Sequence, residues 1–142
     1  MSKKIDAAKE IKRRVAEIRV AAGLKTFVET PTEQAKIEQL PLCNMVYGVD
    51  KIIKRSTRSA SPSRAGVPNV RSAEIILELI APKSANVSSI CDKVRDAVLV
   101  DIHPISGDPS TYIEEDRTEG PVGYGLPNVE AMILVFNLIY PK

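Results

Sequence analysis

Residues 71–99 read RSAEIILELIAPKSANVSSICDKVRDAVL, and a change of hydrophobic period inside this stretch decides the fold class. Ala73, Ile75, Leu77 and Leu79 alternate with Ser72, Glu74, Ile76 and Glu78, the two-residue period of a half-buried strand. Pro82 closes that strand, because it carries no N–H for a ladder. Ser84 or Asn86 is then placed to cap a helix. Val87, Ile90, Cys91, Val94, Ala97 and Val98 recur at three- and four-residue steps and form one apolar stripe. A strand followed by a short turn and an amphipathic helix is the unit around which the rest of the chain arranges itself.

Upstream, Ile5, Ala8, Ile11, Val15, Ile18 and Ala22 mark a buried helical stripe from about Lys4 to Ala22, with charge on the remaining face. Gly23 stands where a left-handed residue ends a helix, and Leu24 follows as the apolar residue that packs back. KTFVET reads as a short strand. Pro31, Thr32 and Glu33 read as a turn into a weak helical stretch, TEQAKIEQ, which Pro41 closes. LCNMVYGV suits a buried strand, and DKIIKRS continues it beyond a bend at Gly48.

Downstream of the central unit, DIHPISGDPS is irregular and TYIEEDRTEGP reads as an acidic, exposed edge strand or hairpin arm, with VGYGLPN as the turn after it. In the last strand Val129, Ala131, Ile133, Val135 and Ile139 share one face, and Met132, Leu134, Phe136 and Leu138 the other. Apolarity on both faces implies a central strand or one at a subunit contact. The expected fold class is therefore α/β (α+β): a mixed or antiparallel sheet of about four strands, two helices packed on one face, and a long hairpin arm. All of it fits a single domain, 1–142, with a flexible basic loop at about 54–71.

With 142 residues, 44% hydrophobic and 27% charged, the chain is long enough to bury about two-thirds of the surface its unfolded form exposes. Aromatic residues are scarce and tryptophan is absent, which argues against a stacking platform for bases or sugars. The first residues carry charge throughout and no apolar h-region, and no segment approaches the roughly 20 apolar residues of a membrane span. A soluble chain that carries no cleaved signal and has no membrane partner is the expectation. Cys43 and Cys91 both lie in apolar segments and read as small buried hydrophobes in a reducing, intracellular setting.

Catalysis needs a nucleophile with its base, a carboxylate pair in a cleft, or a metal constellation. His103 is the one histidine, and nothing near it in sequence completes a triad. Neither cysteine has a partner at metal-ligand spacing. The glycines of EGPVGYGLPN precede a strand and lack a following Gly-Lys-Ser/Thr, so they read as a hairpin turn and not a phosphate cradle. No catalytic residue, cofactor or metal is expected, and the chain is not read as an enzyme.

Two charged segments remain. KIIKRSTRSASPSRAGVPNVRS, residues 51–72, contains Lys51, Lys54, Arg55, Arg58, Arg64 and Arg71 and no acidic residue, in a chain of net charge only +2. Three readings stand: a salt-dependent nucleic-acid contact of low sequence specificity, a disordered hairpin connection, or an assembly arm. Glu114, Glu115, Asp116 and Glu119 form the acidic counterpart, open to readings as a solvated face, a protein interface or an oxygen-ligand cation site without EF-hand spacing. A basic and an acidic arm on one chain suit head-to-tail contacts.

The order and spacing of these elements resemble the tail terminator proteins of tailed bacteriophages, the group that includes the minor tail protein U family. The resemblance covers nearly the whole chain. It is carried by the helix ending AAGLKTFVE, the Pro-flanked strand LPLCNMVYGVD, the long loop, the strand-helix unit and the terminal VEAMILVFNLIYP. It implies a non-enzymatic virion protein, assembled in the host cytoplasm, that forms a homohexameric ring on the head-proximal end of the tail tube. Its partners would be other copies of itself, the tail tube protein, a neck or head-completion protein and, in a contractile tail, the sheath. DNA would pass through the lumen without sequence-specific binding. Lys54, Arg55, Arg58, Arg64 and Arg71, with Glu114, Glu115, Asp116 and Glu119, are the candidate subunit or tube contacts on charge grounds. Another neck or tail-completion protein and a small nucleic-acid-binding α+β module are the alternative readings.

Overall fold

The computed structural model describes residues 2–53 and 70–141. Helix α1 spans Lys3–Ala22, strand β1 Thr26–Glu29, β2 Leu42–Ile53, β3 Val70–Pro82, helix α2 Val87–Val98, β4 Tyr112–Gly123 and β5 Val129–Pro141. The strands form one mixed sheet in the order β1-β2-β3-β5-β4. Only the β1–β2 pair is parallel; the others are antiparallel. The fold is α+β, five strands with two helices, so the short strand expected at KTFVET joins the sheet as its edge.

One face of the sheet carries the main core. Ala7, Ile11 and Val15 of α1 and Val87, Ile90, Cys91, Val94 and Val98 of α2 pack on Ala73, Ile75, Leu77 and Leu79 of β3 and Met132, Leu134, Phe136 and Leu138 of β5. The opposite face is covered at one end, where Ala35 and Leu40 lie with Leu42, Ile80, Val129 and Ala131. The two-sided apolarity of β5 thus matches an interior strand, between β3 and β4. The stretch expected to be weakly helical, TEQAKIEQ, instead supplies this cover as an extended segment with a single 3-10 turn at Ile37–Gln39. Burying Ala35 and Leu40 on the sheet outweighs the small helical preference of so short a segment.

Helix ends follow the sequence closely. Gly23 is left-handed at φ 90°, with its N–H donating to Val20 O at 3.0 Å and that of Leu24 to Arg19 O at 2.8 Å. Asn86, rather than Ser84, caps α2 and accepts from Ser89 N at 3.3 Å. The stripe of α1 is offset from expectation at its start: Ala7 is buried and Ile5 is 53% exposed. There the helix runs beside β2, where Lys4 meets Asp50.

Arg14 lies on the face of α1 read as charged, yet it is 7% exposed. Its Nη1 donates to Val98 O at 2.8 Å and Asp101 O at 2.5 Å, and its Nε to Glu10 Oε2 at 2.9 Å. A cation from one helix thereby satisfies the unpaired carbonyl end of the other, where the helix dipole is negative. Replacing it by Leu orphans both carbonyls, while Glu10 keeps its bonds to Arg13, so Arg14→Leu should cost about 2–4 kcal/mol in denaturant unfolding. Arg14→Lys should recover only part, since one ammonium cannot reproduce the planar fork.

Hydrogen bonding from Arg13 holds the Glu10 carboxyl down at about 2; burial opposes this, and Arg14 adds to it. A carboxyl with a depressed native value stabilises the fold above its ordinary value of 4.5 and loses that contribution as pH falls toward about 2. Stability measured across that window should decline, and Glu10→Gln should flatten the decline.

Candidate functional site

The β2–β3 ladder runs to the pair Ile53↔Val70, so the basic segment is the connection of an antiparallel hairpin. Lys54, Arg55, Arg58 and Arg64 lie outside the described residues. Arg71 does not belong to the loop, because β3 begins at Val70. It faces Ile52 across the ladder, and its Nε donates to Asp50 Oδ1 at 3.2 Å. The other oxygen of Asp50 accepts from Lys4 Nζ at 2.7 Å and Tyr140 OH at 2.7 Å. Burial raises the Asp50 carboxyl, but the bonds from Lys4, Tyr140 and Arg71 outweigh it and hold the group below its ordinary value. One carboxylate therefore ties α1, β2, β3 and β5 together at the root of the arm.

Glu114, Glu115, Asp116 and Glu119 all lie on β4, the opposite edge of the sheet. Two register shifts, at Glu115/Arg117 and Glu119/Val122, bend this strand. Gly120 makes the second possible: its φ is 103°, and a Cβ there would meet Ala131 O at 2.7 Å. The acidic residues divide between the two faces. Glu115 points to the helix side, where Arg95 Nε reaches it at 3.0 Å. On the other side Arg117 stands 3.7 Å from both Glu74 and Glu119, and 2.6 Å from Asp116. Acidic charge exceeds basic along this edge even with Arg117 present.

The β2 edge differs in both charge and covering. β1 pairs only with Leu42–Met45, and the last bond beyond it is Thr30 N to Met45 O at 2.8 Å. Among the described residues no strand flanks the outer side of β2 from Val46 to Ile53. A bulge between Tyr47 and Asp50 deforms this stretch. Gly48 packs so closely on Glu74 that a Cβ would lie 2.8 Å from the Cβ of that residue. Beside it, α1 and Tyr47 enclose a groove of about 340 Å3 lined by Lys4, Ile5, Ala8, Lys9, Lys12 and Glu29. Glu29 accepts from Tyr47 OH and from Lys12 Nζ, the latter at 3.0 Å.

The residues considered for chemistry are otherwise engaged. His103 Nδ1 lies 3.3 Å from Thr111 O, and Asp101 accepts from the His103 backbone N–H, not from the ring. Cys43 and Cys91 are free and buried. Burial raises both thiols, Cys91 to about 11, so neither is a ready nucleophile. Among the described residues no group of three or more His, Cys, Asp or Glu is arranged to hold a metal ion, and no helix is long and apolar enough to cross a membrane.

No protein-family model matches the chain, and no curated protein does either. The sequence pointed to the acidic edge and missed the groove, because Ile5 fits a buried stripe by spacing and only the packing of α1 beside Tyr47 leaves it exposed. It also missed Asp50, whose three partners lie 46, 21 and 90 residues away in the chain. Asp50→Ala should lower stability by about 1–3 kcal/mol by removing charge-assisted bonds at a half-buried site. Amide exchange should accelerate selectively near Ile53 and Val70.

Proposed function

We propose that this chain is a structural subunit that assembles head to tail into a closed ring, acting as a tail terminator that caps the tail tube of a bacteriophage. The observation that carries this reading is the placement of opposite charge at the two outer edges of one sheet. Acidic β4 forms one edge. At the other, Lys4, Lys9 and Lys12 flank β2, whose hairpin continues into an all-basic segment. An interface joining unlike edges is heterologous, and repeating it closes into a ring where the rotation permits. Charge complementarity of this kind orients encounter and selects the register.

The resemblance in element order supports the specific place of such a ring, at the head-proximal end of the tube. The tube protein and a neck protein are then its axial partners, with the sheath added in a contractile tail. In this reading the basic segment is an assembly arm contributing Lys54, Arg55, Arg58 and Arg64.

Tail tubes polymerised from the cognate tube protein test the reading directly by negative-stain imaging. Added protein should give tubes of bounded length with a ring at one end. Arg55→Glu with Arg58→Glu should reduce capping, most strongly at low salt, where charged contacts are least screened. Tubes that elongate unchecked and bear no ring would overturn the terminator assignment. Steep loss of DNA affinity with rising salt would then favour the nucleic-acid reading.

A further inference from the structure

We infer that the groove between α1 and the open half of β2 is the acceptor for strand β4 of a second copy of this chain. The inference rests on the ring reading and gives that ring its contact.

Three features of the groove ask for a protein partner. Ile5 is 53% exposed and Tyr47 41% exposed, and Val49, 63% exposed, follows on the same open length of β2. Exposed large apolar side chains are unremarkable singly, but here Ile5 and Tyr47 line one concavity and Ile5 belongs to an otherwise buried helical stripe. The rim carries three lysines against two carboxylates: Lys4 and Lys12 meet Asp50 and Glu29. Lys9 makes no ion pair among the described residues and keeps its charge free for a partner.

Strand β4 offers the complement. Asp116 holds Arg117 at 2.6 Å, whereas Glu119 stands 3.7 Å from it with its side chain 57% exposed, and three residues beyond Glu119 stands Val122, 60% exposed. That three-residue step spans about 10 Å of strand, less where the bulge shortens it. Ile5 to Lys9 and Ile5 to Lys12 rise about 6 and 10 Å along the helix. Val122 seated against Ile5 and Tyr47 therefore brings Glu119 to the level of Lys9 and Lys12. The bulges and Pro121 make β4 a poor template for continuous backbone pairing. Side chains in the groove, and not an extended ladder, make the contact. Because groove and strand lie at opposite edges, each copy offers both halves and neither half pairs with itself.

Sedimentation of the full chain over a concentration series, with charge-swap variants, tests the contact. Lys9→Glu alone and Glu119→Lys alone should each weaken self-association at least about tenfold, and the chain carrying both should regain most of it. Ile5→Ser, at an exposed position, should weaken association with every charge intact and the circular dichroism spectrum unchanged. A wild type that stays monomeric into the millimolar range overturns the inference, as do single reversals without effect or a double variant no better than its parents. Tube capping separates the two readings. Swap-restored association with uncapped tubes overturns the terminator role and leaves the contact standing. Capping that survives Lys9→Glu and Glu119→Lys unaltered overturns the contact and leaves the role.

Discussion

Arg14 sits where α1 meets the end of α2, and its guanidinium closes the carbonyl end of one helix from within the other. That contact sets how the two helices lie over β3 and β5. Each helix alone presents a narrow apolar stripe, too little to hold an isolated helix in water. Together they cover the middle of the sheet, and the middle strands are the ones whose helix-facing residues are almost wholly apolar. The buried charge is tolerable because every donor direction in use ends on a carbonyl or on Glu10.

Two helices cover only one face of a five-stranded sheet, and at its margins they meet the strands through polar side chains, Lys12 with Glu29 and Arg95 with Glu115. The chain deals with the second face by laying the segment before β2 over one end of it, with Ala35 and Leu40 as the covering residues. The margins stay open. On both, the strand is bulged and carries charge, the usual means by which a soluble sheet avoids indiscriminate edge pairing. What distinguishes this molecule is that the two margins are guarded by opposite signs. Devices that prevent random association at both edges then favour one specific association between them.

Asp50 adds a second constraint at the base of the hairpin. By holding Lys4, Arg71 and Tyr140 at once, it fixes where β2 and β3 leave the sheet and keeps the start of α1 against β2. The groove and the root of the basic segment are therefore parts of one rigid corner. Any partner that engages the groove does so next to the point from which the hairpin departs.

The sequence by itself determined the elements. Period-two alternation placed β3 and β5 and three-to-four spacing both long helices, because local burial demands leave their mark at fixed spacing. Runs of β-favouring residues, acidic charge and turn residues placed β2, β4 and the turn before β5. Gly23 and Asn86 marked helix ends through local backbone chemistry. It also placed the acidic residues together on one exposed strand. Only the tertiary structure decided what spacing cannot encode: that Arg14 is buried, that Ile5 is not, that TEQAKIEQ lies extended across the sheet, and that Arg71 serves Asp50. Each depends on which distant element lies opposite. Burial and pairing between residues tens of positions apart are set by packing of whole elements, which local periodicity does not contain.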